Sequence, residues 1–367
     1  MLVFFTCINW SLEAEALCFF FAMLGVAGPC LRGTAQLQAV AATFVAMKSA
    51  YRDRYGPPLV LSIRELPVPA PKEGEIRIRV RAATVNRTDC AILLGKPFVM
   101  RFFCGLRRPR HRATGTDFAG EVEAVGSGVD RFKVGDRVWG FDDAGLGSHS
   151  QQMLLRQDKA VAKMPAGIGF EQAAASIEGA HYAYNFINKV KLKAGQTALL
   201  NGASGAIGSA LLQLLKHFGL QVTATCATPQ LMRIKALGAD RVIDYLQQDF
   251  TQEQGRQFDY VFDAVGKSCF AACRPLLRPA GVYISSELGA YLQNLLLALL
   301  SPILPGPKVI FPVPFRPLES MAFVGGLLER GEFKPLIDRS VPLEQIAAAF
   351  DLALSGQKVG NLLLSLD

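Results

Sequence analysis

The segment Asn201-Gly-Ala-Ser-Gly-Ala-Ile-Gly208 constrains this chain more than any other stretch of its length. It follows the apolar run 197–200, which predicts a buried strand. It leads into residues 209–219, where Ile207, Ala210, Leu211, Leu214, Leu215 and Phe218 recur at helical spacing. Strand, glycine turn and amphipathic helix together form the context of a dinucleotide-binding βαβ unit. Gly202 permits the tight turn, Gly205 lets a pyrophosphate approach the backbone, and Gly208 lets helix and strand pack closely. The helix start adds free N–H groups and a partial positive charge. Ordinary strand-to-helix loops also use glycine; here the flanks favour the nucleotide.

A chain of 367 residues suggests two domains, and a hydrophobic content of 50% supports a sizeable core. Part of the formal charge of +8 is concentrated in Arg101, Arg107, Arg108, Arg110 and Arg112, with His111 among them. That stretch reads as a solvated loop, as a positive lip steering anionic or quinoid substrates, or as a phosphate contact. No RNA-binding module accompanies it, so nucleic acid is not the expected partner. The cysteines form no CxxC pair, which predicts reduced thiols and a cytoplasmic protein rather than a disulfide framework or zinc ribbon.

Residues 1–46 differ from the rest. The apolar run 16–31 is interrupted by Gly25, Gly28 and Pro29 and is short against the roughly 20 residues of a membrane span. Glu13 and Glu15 precede it where a secretory signal needs Lys or Arg, and only Arg32 occurs before Lys48, too few for a transit peptide. No stable membrane span is expected. Two readings stay open: a weakly ordered N-terminal addition, or a true start at Met47.

Beyond that point 59–65 and 76–83 alternate as half-buried strands do, and 120–126 and 136–141 continue the β pattern. Residues 170–190 turn helical. Strands at 197–200, 221–226, 241–243, 260–264 and 282–285 then alternate with helices at 209–219 and 229–237, which predicts a parallel sheet covered on both faces. The leucine-rich window 288–304 predicts a buried helix. Amphipathic helices at 318–331 and 343–356 precede a last strand at 361–366.

Ala82-Ala-Thr-Val-Asn-Arg-Thr-Asp89 resembles the AAxVNxxD segment of medium-chain dehydrogenases/reductases. Gly115-Thr-Asp-Phe-Ala-Gly120, running on to Val125-Gly126 and Gly135-Asp-Arg-Val138, is similar to that superfamily's GxDxxGxVxxVG…GDxV core. Residues 201–208 resemble its cofactor loop, and Leu237-Gly-Ala-Asp240 with Val242-Ile-Asp-Tyr245 its second βα unit. Residues 331–338 and Gly356-Gln-Lys-Val-Gly-Asn361 resemble the C-terminal end of the quinone oxidoreductase branch. The resemblance covers 47–367 and implies an α/β fold. A GroES-like β-rich catalytic domain, 47–168 and 306–367, would be interrupted by a Rossmann doubly wound parallel-sheet NAD(P)-binding domain, 169–305. It further implies a homodimer, and cofactor contacts from Asn86, Gly202, Ser204, Gly205, Ala206, Ile207, Gly208, Thr225, Cys226, Arg233, Tyr245, Val265, Ser285, Lys358 and Asn361.

The superfamily has zinc-dependent and zinc-free branches. A catalytic zinc needs three protein ligands, usually Cys and His. Asn86 stands where the zinc branch carries its cysteine, and Gly115-Thr116-Asp117 where it has Gly-His-Glu; His111, His149, His181 and His217 are dispersed. Zinc is therefore not expected. An NAD-specific unit places Asp or Glu about 20 residues past the glycines. None occurs in 209–239, where the strand ends Thr225-Cys226-Ala227-Thr228 and Arg233 and Lys235 follow. Tyr245 matches a family tyrosine lining the phosphate site, although Gln230 stands where some relatives carry a phosphate-binding lysine. NADPH is accordingly expected over NADH.

Without a metal, reduction of a quinone or α,β-unsaturated carbonyl is the expected reaction, and its product needs a hydrogen-bond donor and a proton. Asn86 is placed by the resemblance near the nicotinamide. Glu178-Gly-Ala-His-Tyr182 falls where the family lines the cofactor ribose, so His181 or Tyr182 is a candidate donor; alternatively both orient the cofactor and water protonates the product. A second class of function is a cofactor-binding regulatory partner of the same fold with little turnover.

Overall fold

The strand Glu75–Thr84 puts Ile76, Ile78 and Val80 in the core while Arg79 points to solvent, the period-two pattern of a sheet with one buried face. The structure, a computed structural model, describes residues 46–366 other than 99, 254, 256 and the Phe103 side chain. The expectations for 1–45 lie outside the described residues. Glu75–Thr84 is central in a seven-stranded sheet whose path runs Ile337–Pro342, Asn361–Ser365, Glu75–Thr84, Asp117–Val125, Arg137–Phe141, Val161–Lys163, with Gln152–Arg156 also pairing to Glu75–Thr84. Its pairings are antiparallel except the first, which is parallel. A two-stranded sheet, Ala46–Tyr51 with Ser62–Pro67, lies beside it in sequence. The strand expected from residue 59 begins only at Ser62, because Pro57 and Pro58 set up a 3-10 turn over Pro58–Val60.

The second sheet has six parallel strands: Thr197–Asn201, Gln221–Cys226, Arg241–Asp244, Phe258–Asp263, Leu277–Ser285 and Lys308–Ile310. Numbered in chain order, they lie 3-2-1-4-5-6, the doubly wound order of dinucleotide-binding sheets. The helix Ala206–His217 buries Ala210, Leu211, Leu214 and Leu215 on one face, and Phe250, Val261, Cys273 and Leu276 cluster together in a separate core. That two-sided burial explains why Thr197–Asn201 is apolar without alternation. The sixth strand lies past residue 305, so the parallel sheet extends beyond the expected boundary.

One expectation is corrected. The window 288–304 forms the helix Gln293–Leu300, but of its residues only Asn294 is buried. Leu296, Leu299, Leu300, Ile303 and Leu304 are exposed. Its apolar residues surround the axis, whereas the neighbouring structure covers one side.

Among the described residues, no helix is long and apolar enough to cross a membrane.

Candidate active site

The strand order reverses between Thr197–Asn201 and Phe258–Asp263, and a cleft of about 660 Å³ opens there at the strands' carboxyl ends. Its wall is the glycine loop, and each glycine meets a different steric demand. Gly202 sits at φ +85°, and a Cβ there would lie 2.4 Å from Val265 Cγ1. At Gly208 a Cβ would meet the Gly202 carbonyl oxygen at 2.1 Å, so the helix can approach the strand only without one. Gly205 is the exception: its added Cβ finds nothing nearer than 3.9 Å. The protein's own packing therefore does not require glycine there. Gly205 is also the N-cap of Ala206–His217, with no side-chain hydrogen bond to the helix start. An uncapped helix end facing an open cradle suits a phosphate.

Hydrogen bonds hold the loop from beneath. Thr225 donates its hydroxyl proton to Asn201 Oδ1 at 2.7 Å and accepts from the Gly202 N–H at 3.0 Å, while Asn201 donates to Asp263 Oδ1 at 3.1 Å. From the far end of the chain, the Gly360 N–H donates to the Ser204 carbonyl at 2.7 Å. Lys358 donates to the Gly360 carbonyl at 2.8 Å and lines the cleft.

Of the expected contacts, Gly202, Ser204, Gly205, Ala206, Ile207, Gly208, Tyr245, Val265 and Lys358 line this cleft. Thr225, Cys226 and Ser285 are fully buried beneath it, and Asn361 is buried with its amide on the Leu336 carbonyl. Arg233 is exposed and donates to the Ile337 carbonyl at 3.2 Å. Glu178, which opens the stretch expected beside the ribose, lines the cleft too, as do Arg87 and Lys267, which were not singled out. They come from separate elements, and no sequence spacing links them.

Asn86 stands behind the wall as the N-cap of Arg87–Leu94. Its side chain accepts from the Asp89 N–H at 2.8 Å and its backbone N–H donates to Asp89, a capping box. Its amide donates to Thr116 Oγ1 at 2.9 Å, and more weakly to Thr84 and Asp117. Asp117 in turn accepts from the Thr84 N–H and hydroxyl at 2.7 and 2.5 Å. Burial pushes Asp89 and Asp117 up to about 7. Among the described residues, no group of His, Cys, Asp and Glu is arranged to hold a metal ion.

The two candidate donors differ. His181 is buried, its Nδ1 lies 2.7 Å from the Ser320 hydroxyl, and burial lowers its pKa to about 4. The cleft wall does not include it. Tyr182 donates to Asp143 Oδ1 at 3.0 Å and lies 3.4 Å from the Thr88 hydroxyl, which donates to Glu178 Oε1 at 3.0 Å. Burial pushes Glu178 and Asp143 up to about 7 and raises Tyr182 further above its usual value.

Residues 72–186 match the family described as alcohol dehydrogenase GroES-like domain, and 237–364 the family described as zinc-binding dehydrogenase. A quinone oxidoreductase of Pseudomonas aeruginosa is 31% identical over 327 residues, covering 84% of this chain and 97% of that protein. A 2-methylene-furan-3-one reductase of Solanum lycopersicum is 31% identical over 353 residues, covering 91% and 84% respectively. The solved quinone oxidoreductase of Coxiella burnetii superposes with a TM-score of 0.77 at 24% identity, covering 88% of this chain and 100% of that one.

Proposed function

The chain belongs to the medium-chain dehydrogenase/reductase superfamily, in its quinone oxidoreductase branch, and from that premise we propose that it reduces a quinone or α,β-unsaturated carbonyl with NADPH. It is an NAD(P)H-dependent oxidoreductase. The observation that carries the reading is Gly205: a side-chain-free N-cap, sterically unconstrained by the protein, facing a cleft at the sheet's switch point. The bound nicotinamide supplies the hydride. The chain's part is to grip phosphate with the Gly205 helix start and Lys358, and to keep water from the reacting carbons by enclosing them in the cleft. Asn86 acts on the nicotinamide side through the cap it provides to Arg87–Leu94.

NADPH preference rests on the strand Gln221–Cys226, which carries no carboxylate of its own at its end, the Asp244 carboxylate on the neighbouring strand being engaged by the Thr228 hydroxyl. Zinc plays no part in the proposed reaction. Asn86 and Asp117, at the positions where the zinc branch carries ligands, spend their polar atoms on each other and on Thr84 and Thr116. The aligned relatives named above reduce quinones or enones by name, which favours such acceptors over alcohols. We further infer a homodimer, supported by the exposed apolar helix Gln293–Leu300 next to the sheet-edge strand Lys308–Ile310, and a cytoplasmic location, supported by the cysteine pattern of the sequence.

The test pairs quinones and enones with NADPH against simple alcohols with NADP⁺, with metal content measured on the same sample. Acceptor reduction without stoichiometric zinc is expected. Efficient alcohol oxidation with no acceptor reduction defeats the reading, and cofactor binding without turnover across the panel favours the regulatory alternative.

A further inference from the structure

We propose that Glu178 is the proton donor of the reaction, resupplied by a hydrogen-bonded relay through Thr88 and Tyr182 to Asp143. The proposal rests on the reductase reading above and adds to it a residue and a proton path.

Glu178 opens the helix Glu178–Ile187 and is one of the residues lining the cleft. Tyr182 lies one turn further along the same helix, on the same face. Thr88, in the first turn of Arg87–Leu94, bridges them: 3.0 Å to Glu178 Oε1 and 3.4 Å to the Tyr182 hydroxyl. Tyr182 then reaches Asp143 Oδ1 at 3.0 Å. Asp143 is only half-buried, in a turn beside exposed Ala144. The chain of contacts thus runs from the cleft to a solvent-facing turn.

Counting protons shows what this chain can do. Its three links each need one hydrogen, and the Thr88 and Tyr182 hydroxyls supply one apiece. The third must come from a carboxyl. With that proton on Asp143, every bond points toward Glu178; with it on Glu178, every bond points toward Asp143. Passing from one state to the other is three hops between neighbouring oxygens, two across 3.0 Å and the middle one across 3.4 Å. Two ionised carboxylates would leave the Thr88–Tyr182 link without a hydrogen.

The electrostatics agree. Burial pushes both terminal carboxyls up to about 7, so the relay can hold its proton near neutral pH. Lys358 opposes this at Glu178, whereas Asp117 and Asp89 from behind reinforce it; Arg87 and Lys267 are the other cations on the wall. At the outer end Glu178 and Asp142 raise Asp143. His181, on the same helix, is neutral at these pH values and turned toward Ser320.

For an enone, hydride bonds to the β-carbon and the π pair of the C=C bond moves to give an enolate. The α-carbon takes the Glu178 proton, so the double bond is replaced by two C–H bonds and the substrate has gained two electrons. Glu178, now a carboxylate, recovers a proton through Thr88 and Tyr182 from Asp143, and Asp143 from water. A quinone takes the same proton on oxygen.

The test uses the full chain, NADPH and an α-methyl cyclic enone in D₂O. Wild-type product should carry deuterium on one face of the α-carbon. Glu178→Gln should lower turnover about 10²–10⁴-fold, leave NADPH affinity little changed, and scatter the α-deuterium over both faces. Without cofactor, infrared difference titration of the wild type should show carboxylic-acid C=O absorption lost as pH rises through about 7, and in Glu178→Gln the Glu178 band alone should be missing from it while those of Asp143, Asp117 and Asp89 stay. Thr88→Val and Tyr182→Phe should slow turnover and be rescued by added small acids. Wild-type rate and single-face deuteration in Glu178→Gln overturn the proposal. If that variant fails to fold, unimpaired turnover in both relay variants overturns it. A wild type that reduces no quinone or enone defeats the reductase reading and the donor role together, whereas an active wild type without the Glu178 band defeats the relay alone.

Discussion

The backbone N–H of Gly360 donates to the Ser204 carbonyl at 2.7 Å, tying the last strand's approach to the glycine loop more than 150 residues earlier. Gly360 needs φ +72°, and a Cβ there would meet the Leu336 carbonyl oxygen at 2.1 Å. This junction carries Lys358 into the cleft, where burial lowers its pKa and nearby Glu178 holds it up. Lys358→Met should therefore weaken NADPH binding by about tenfold, the scale of one charge-assisted hydrogen bond. Calorimetric titration at low salt is the check; unchanged affinity means that Lys358 does not meet phosphate.

Gly205 and Gly208 should separate binding from folding. Gly205→Leu places its side chain in open cleft at φ −77°, so the fold should survive while NADPH binding is lost. Gly208→Ala drives a Cβ into the Gly202 backbone, and overpacking of this kind costs about 1–3 kcal/mol. Thermal unfolding and cofactor titration on both variants should give opposite patterns. A Gly205→Leu protein that still binds NADPH normally removes the phosphate cradle from the reading.

Much of this was legible in the sequence because it is local. The turn from Asn201 to Gly208 announces itself by glycine spacing between an apolar run and a helical one, and the alternation in 76–83 marks a sheet face. The relay Glu178–Thr88–Tyr182–Asp143 was not legible: helical spacing relates Glu178 and Tyr182, but Thr88 and Asp143 come from two other elements that no periodicity ties to them. His181 and Tyr182 are adjacent in sequence, yet on a helix they point about 100° apart, one toward Ser320 and the other toward Asp143. The window 288–304 misled for a related reason: composition reports apolarity, but only packing decides which side is covered.

The cofactor preference needs a different residue from those at the strand end. A carboxylate introduced at Thr225 or Cys226 would be buried without exposure and would cut the Thr225 lock on Asn201, so it would unfold the loop before it repelled a phosphate. The neighbouring strand, however, brings Asp244 alongside Cys226, with Oδ2 accepting from the Thr228 hydroxyl at 2.5 Å. That carboxylate lies outside the 209–239 window. Asp244→Asn should tighten NADPH relative to NADH by removing negative charge near the 2′ position. Titration of both cofactors decides it; an unchanged ratio places Asp244 too far from the ribose to matter.

His181 gives a prediction whose sign is fixed by burial. Its pKa falls from 6.5 to about 4 on folding, with burial as the sole cause. Above 6.5 the ring is neutral in both states and its packing counts in full. As pH falls from 6.5 toward 4 the unfolded chain takes up a proton that the native state refuses, so stability declines, by at most about 3 kcal/mol for this residue. His149, lowered to about 4 mainly by burial, adds in the same direction. His181→Gln should be less stable than wild type near neutral pH, because the ring packs at 5.2 Å from Phe141 and its partner Ser320 is buried. It should nevertheless lose less stability than wild type on going to about pH 5, measured by urea unfolding at both values. Its turnover should fall far less than the 10²–10⁴-fold typical of a lost proton donor. A fall of that full size, with NADPH affinity intact, would return the donor role to His181 and take it from Glu178.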